Sequence, residues 1–118
     1  MVKLTNNSLR YFAIWPDKYN LTVSMIKSFR YKGLCQLWEN EKAGKLPANH
    51  VNRIIQMLEV IPSALKVPQD FEFFRSWKVH PLKGDWKGHW SFTVKENWRI
   101  IFRFKNENAF DLDYLDYR

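Results

Sequence analysis

Cysteine is almost absent from this chain: among 118 residues there is one, Cys35. A single thiol excludes an internal disulfide and a thiolate zinc cluster. No histidine or acid motif surrounds Cys35, so it is expected to be a small buried apolar residue, not a nucleophile. Histidine is scarce too, with three residues, and no His-x-x-His spacing is available for a metal. No glycine-rich loop that could cradle phosphate is present; Gly84 and Gly88 flank Asp85-Trp86-Lys87 and read as turn residues. No apolar run approaches the ~18 residues that would span a bilayer. Residues 1–24 are interrupted by Lys3, Arg10, Asp17 and Lys18 and do not read as a secretion signal. The expectations are a cytoplasmic protein without membrane contact, metal or cofactor.

The chain is rich in rings and in positive charge. Aromatics make up 17% of it, and hydrophobic residues 46%, which suits one domain with a core built on large side chains. Net charge is +7, and its location says more than its size. Residues 75–105 carry eight basic side chains against Asp85 and Glu96, a net of +6. Residues 106–118 carry four acids against Arg118, a net of −3. A basic segment beside an acidic one predicts a polyanion site bounded by charge that pairs locally.

Residues 1–24 have weak periodicity and a turn at Trp15-Pro16-Asp17, and Met25 itself reads as a start. They are expected to be an extension dispensable for the fold, with the domain proper at 25–118. Residues 25–30 read as a short strand. Leu34, Leu37 and Trp38 predict a helix over 31–42, stopping near Gly44. A second helix opens at Pro47 as its first residue and ends at Pro62. Val51, Ile54, Ile55, Leu58 and Ile61 form its buried stripe, which leaves His50 and Arg53 in solvent.

After Pro68 the period becomes two. Trp77 and Val79 alternate with Lys78 and His80; Trp90, Phe92 and Val94 with His89, Ser91 and Thr93; Trp98, Ile100, Phe102 and Phe104 with Arg99, Ile101 and Arg103; Phe110, Leu112 and Tyr114 with Asp111 and Asp113. This predicts an antiparallel sheet with one apolar face, covered by the helices. A three-residue loop Lys95-Glu96-Asn97, with Asn97 left-handed, pairs Val94 with Trp98, Phe92 with Ile100 and Trp90 with Phe102. In the next hairpin Phe104 pairs with Phe110, and Arg103 faces and is neutralised by Asp111. Arg99 faces Leu115, with Asp113 diagonal to it. The open face then collects Lys78, His80, His89, Ser91, Thr93, Lys95, Arg99 and Arg103.

Cutting RNA without a metal needs a base for the 2′-hydroxyl, cations for the phosphorane and an acid for the 5′ oxygen. His80, Lys83, Arg99 and the closing Asp116-Tyr117-Arg118 supply those residue types. Lys78, Lys87, His89, Lys95 and Arg103 are expected to line the RNA path. Asp111, Asp113 and Asp116 are the carboxylates available to magnesium, but Arg103 and Arg99 account better for the first two.

Five blocks carry a family resemblance: Met25-Ile26-Lys27-Ser28-Phe29, Lys32-Gly33-Leu34, His80-Pro81-Leu82-Lys83-Gly84-Asp85, Asn97-Trp98-Arg99-Ile100 and Tyr114-Leu115-Asp116-Tyr117. In that order they resemble the HigB branch of the RelE-like bacterial toxins over about residues 25–118. The resemblance implies an α+β fold, with two N-terminal helices on one face of a curved, mostly antiparallel sheet of about four or five strands. It implies a ribosome-dependent endonuclease acting on mRNA in the A site, and a HigA-type helix-turn-helix antitoxin as partner. By the same resemblance His80, Lys83, Arg99, Asp116 and Tyr117 match active-site positions, with Arg99 contacting phosphate.

The chain departs from the family pattern at Trp86 and His89, where many members carry Arg and Tyr, and at Arg118, where His is usual. Arginine does not shuttle protons near neutral pH but binds phosphate through two donors. Arg118 is therefore expected to act electrostatically. The alternative is a non-catalytic module that still binds RNA, the ribosome or an antitoxin.

Overall fold

A computed structural model describes residues 25–117; the expectations for residues 1–24 and for Arg118 lie outside them. The described residues hold two α-helices, α1 (Lys32–Asn40) and α2 (Ala48–Val60), and four strands, β1 (His80–Pro81), β2 (Trp90–Lys95), β3 (Trp98–Lys105) and β4 (Asn108–Asp116). The strands form one antiparallel sheet in the order β1-β2-β3-β4. This is the α+β arrangement expected. No helix among the described residues is long and apolar enough to cross a membrane.

Leu34, Leu37 and Trp38 turn α1 onto the core. The helix stops at Glu41, earlier than Gly44, because Glu41 takes the left-handed conformation and its N–H bonds back to the last turn. Cys35 is half-buried rather than fully buried. Pro47 stands just before α2 and not inside it. The buried stripe of α2 is His50, Ile54, Met57 and Leu58, rotated from the expected one, and Val51 and Ile55 are half-buried. His50 is therefore not in solvent, and Arg53 is half-buried. His50 is 5% exposed and lies 2.6 Å from the Tyr114 hydroxyl. Arg53 reaches Ser76 and Thr93.

The core between helices and sheet is built on rings. Phe71 meets Phe92 at 4.8 Å, Phe92 meets Phe102 at 5.0 Å, and Trp77 stacks on Phe74 at 4.1 Å. Each such pair contributes about 0.5–1.5 kcal/mol beyond its buried area. Docking of Trp77 into this cluster bends the chain into a 3₁₀ turn at Arg75–Trp77 followed by left-handed Lys78. The expected strand through residues 77–80 thus shrinks to His80–Pro81.

Residues 25–30 are extended and run parallel to β4. They make isolated bridges, Ile26 with Ala109 and Phe29 with Leu112, where a regular strand was expected. β4 is bulged at that place: Asp111 has φ +56°, and its N–H donates to Ser28 Oγ. The bulge shifts the hairpin, so Phe104 pairs with Ala109 and Arg103 with Phe110. Phe110 consequently leaves the core side, and Ala109 replaces it there. A second irregularity at Val94 pairs Lys95 with Trp98. The turn then has two residues, with Glu96 rather than Asn97 left-handed. The pairs Trp90 with Phe102, Phe92 with Ile100 and Arg99 with Leu115 stand as expected.

Candidate active site

Register places the chemistry. His80, Ser91, Ile101 and Asp113 are successive cross-strand partners and so share one face, opposite the core. Thr93, Arg99 and Leu115 form the next row toward the β2–β3 turn. Strand spacing sets the Cα atoms of His80 and Arg99 about 12 Å apart, two strands and one row away from each other.

This face is not open throughout. Ser91 and Ile101 at its middle are fully buried. Trp86, from the chain after β1, lies with its ring 6.0 Å from the guanidinium of Arg30, which belongs to the segment beyond β4. A contact between opposite edges means that residues 82–88 arch over the sheet. Gly84 and Gly88, at φ +64° and +94°, permit that path. Solvent therefore reaches the face from the end that bears His80, the β2–β3 turn and the end of β4.

His80 is exposed, and its Nδ1 donates to the Lys78 carbonyl at 2.8 Å. A carbonyl only accepts, so Nδ1 carries a proton, and in the neutral ring Nε2 is the acceptor. Lys83 follows in the same turn and is exposed. Asp116 and Tyr117 close the strand beside the β2–β3 turn: Trp98 pairs with Asp116, and the Tyr117 N–H donates to the Asn97 carbonyl at 2.8 Å. Arg99 is less free than expected. One nitrogen donates to the Glu96 and Trp98 carbonyls, and its Nε is buried without a hydrogen-bond partner among the described residues.

The remaining cations divide. Lys78, Lys87 and Lys95 are exposed. Arg103 is paired with Asp111 at 3.3 Å. His89 is half-buried, donates from Nδ1 to the Trp86 carbonyl at 3.1 Å and meets the Trp86 ring edge-on. It therefore belongs to the arching segment more than to an exposed RNA track. Lys83 stands at the edge of the face, in that same turn.

Beneath the site lies a buried polar pair that periodicity missed. Tyr114 stacks on Trp98 at 4.8 Å and bonds to His50. Burial first, then the neighbouring Tyr31 and Asp116, pushes its phenol up to about 12. No local signal marks His50, because its partner is on the last strand.

The family model described as "RelE-like toxin of type II toxin-antitoxin system HigB" matches residues 27–118. The Endoribonuclease HigB of Proteus vulgaris is 47% identical over 94 residues, which cover 79% of this chain and 99% of that protein. Two crystal structures of YafQ from E. coli, one of a mutant, are 18% identical with TM-scores of 0.45 and 0.44, each over 75% of this chain and 90% of the other. The match across residues 27–118, with a relative 47% identical over 79% of this chain, places this chain in the family of HigB-like toxins, the RelE-like toxins of type II toxin–antitoxin systems.

Proposed function

We propose that this chain is an endoribonuclease that cuts mRNA on the ribosome without a metal, and that a HigA-type helix-turn-helix antitoxin restrains it. The observation that carries the reading is the setting of His80: it is exposed, and Nδ1 is committed to Lys78, which leaves Nε2 as the acceptor of the neutral ring. Nε2 takes the proton of the 2′-hydroxyl as that oxygen attacks the adjacent phosphorus. Lys83 and Arg99 stabilise the charge gathered on the phosphorane. The bond to the 5′ oxygen then breaks, the 5′ oxygen takes a proton from Tyr117 beside Asp116, and a 2′,3′-cyclic phosphate remains. Arg118 contributes charge and no proton. Lys78, Lys87 and Lys95 steer the RNA, with Arg103 muted by Asp111 and His89 by its place beside Trp86.

The test is inducible expression in growing cells with mapping of mRNA 5′ ends, in wild type and in His80→Ala and Arg99→Ala variants. The expected result is growth arrest and new 5′ ends inside translated frames for wild type, and loss of both in the variants. The replacement of the usual His by Arg118 favours a second reading, a toxin that binds ribosomes or antitoxin without cutting. Ribosome binding with no new 5′ ends would establish that reading instead.

A further inference from the structure

We propose that Arg53, in the helix layer, is a positioning residue for His80; this rests on the reading of His80 Nε2 as the base. Because His80 pairs with Ser91, the ladder continued by two residues would pair Lys78 with Thr93. That pair is not made. Trp77 is drawn into the ring cluster, and Lys78 turns left-handed at φ +49°. The Thr93 carbonyl is on the same edge of β2 as the His89 carbonyl, which accepts from the Leu82 N–H. Without Lys78 that edge is bare, and a bare buried carbonyl is costly.

Arg53 takes the vacated position. Its Nε donates to the Thr93 carbonyl at 3.4 Å, and its Nη2 donates to both the carbonyl and the hydroxyl of Ser76 at 2.9 Å. One planar fork thereby ties α2, the edge of β2 and the Arg75–Trp77 turn together. Two residues beyond Ser76, the Lys78 carbonyl receives the His80 Nδ1 proton. The guanidinium thus fixes the polar side of the turn whose carbonyl selects the His80 tautomer, while the rings fix its apolar side. Lysine is not equivalent there, since a single ammonium does not span Ser76 and Thr93 with the same geometry.

The experiment is a long-range proton–nitrogen NMR correlation of the full ¹⁵N-labelled chain, with single-turnover cleavage on programmed ribosomes. Wild type is expected to show His80 protonated on Nδ1 at a pH where the ring is neutral. Arg53→Ala is expected to give a mixed tautomer and a rate about tenfold lower at saturating ribosome, with half-saturation unchanged, since a small misplacement of a reacting group is expensive. Arg53→Lys is expected to recover part of both. A lower melting temperature for Arg53→Ala with the His80 tautomer unchanged would overturn the proposal and leave Arg53 a purely structural residue. The His80→Ala variant separates the two readings. Undiminished cleavage in it refutes the base assignment, whereas abolished cleavage together with a full rate in Arg53→Ala refutes the positioning role.

Discussion

At the scale of single residues, two histidines sit in opposite settings, one exposed and one buried. His80 is exposed and has one nitrogen tied to backbone, an arrangement that suits a general base. Removing it is expected to lower the cleavage rate by about 10²–10⁴, read from single-turnover cleavage on ribosomes. His50 is buried and spends its Nδ1 on Tyr114. Changing His50 to Leu strands the Tyr114 hydroxyl in the core, at a cost of about 1–3 kcal/mol in urea unfolding. Adding Tyr114→Phe removes the stranded group and is expected to recover most of that loss; an additive double variant would contradict the pairing. The raised Tyr114 phenol also sets a direction with pH. The folded state holds this proton more tightly than the unfolded chain does, so its contribution is complete below about pH 10. It is lost as pH rises through about 12. Unfolding midpoints measured up that range should fall, and Tyr114→Phe should flatten the fall. Under the proposed function, Arg118→Ala is expected to lower the cleavage rate and Arg118→His to preserve or raise it; equal rates for Arg118→Ala and the parent would remove Arg118 from the mechanism.

At the scale of elements, alternation told which face a residue takes but not how many residues a strand spends between pairs. The rows through Trp90 and Phe102, Phe92 and Ile100, and Arg99 and Leu115 were legible because large apolar side chains had to coincide across strands. The bulges at Val94 and Asp111 were not, since each inserts one residue without disturbing the pattern on either side. The bulge at Asp111 is stabilised by Ser28, 83 positions away in sequence, which no local window contains. The truncation of β1 has the same origin: Trp77 follows its ring partners and Arg53 substitutes for the lost strand. His80 and Arg99 share the outer face because both lie in rows that the bulges leave in register. The β3–β4 turn offers an independent check. Asn106 and Glu107 both have positive φ, the conformation for which Asn-Gly is the preferred pair. Glu107→Gly is expected to stabilise the fold by about 1 kcal/mol, measured by denaturant titration; a destabilisation would contradict the turn geometry.

At the scale of the whole molecule, a ring-rich core under the sheet holds a basic, one-sided surface whose middle is roofed by residues 82–88 and whose end is accessible. Lys78, Lys87 and Lys95 are exposed, and under the proposed function they would draw a polyanion toward the sheet. Binding to ribosomes should accordingly weaken steeply with salt, and a chain beginning at Met25 is expected to fold and bind as the full chain does. The central claim, that this surface cuts translated mRNA with His80 as base, is tested most directly by mapping mRNA 5′ ends after induced expression of the wild-type chain and of His80→Ala. The account predicts new ends within open reading frames for the first and none for the second; the same ends in both, or ends in neither, would contradict it.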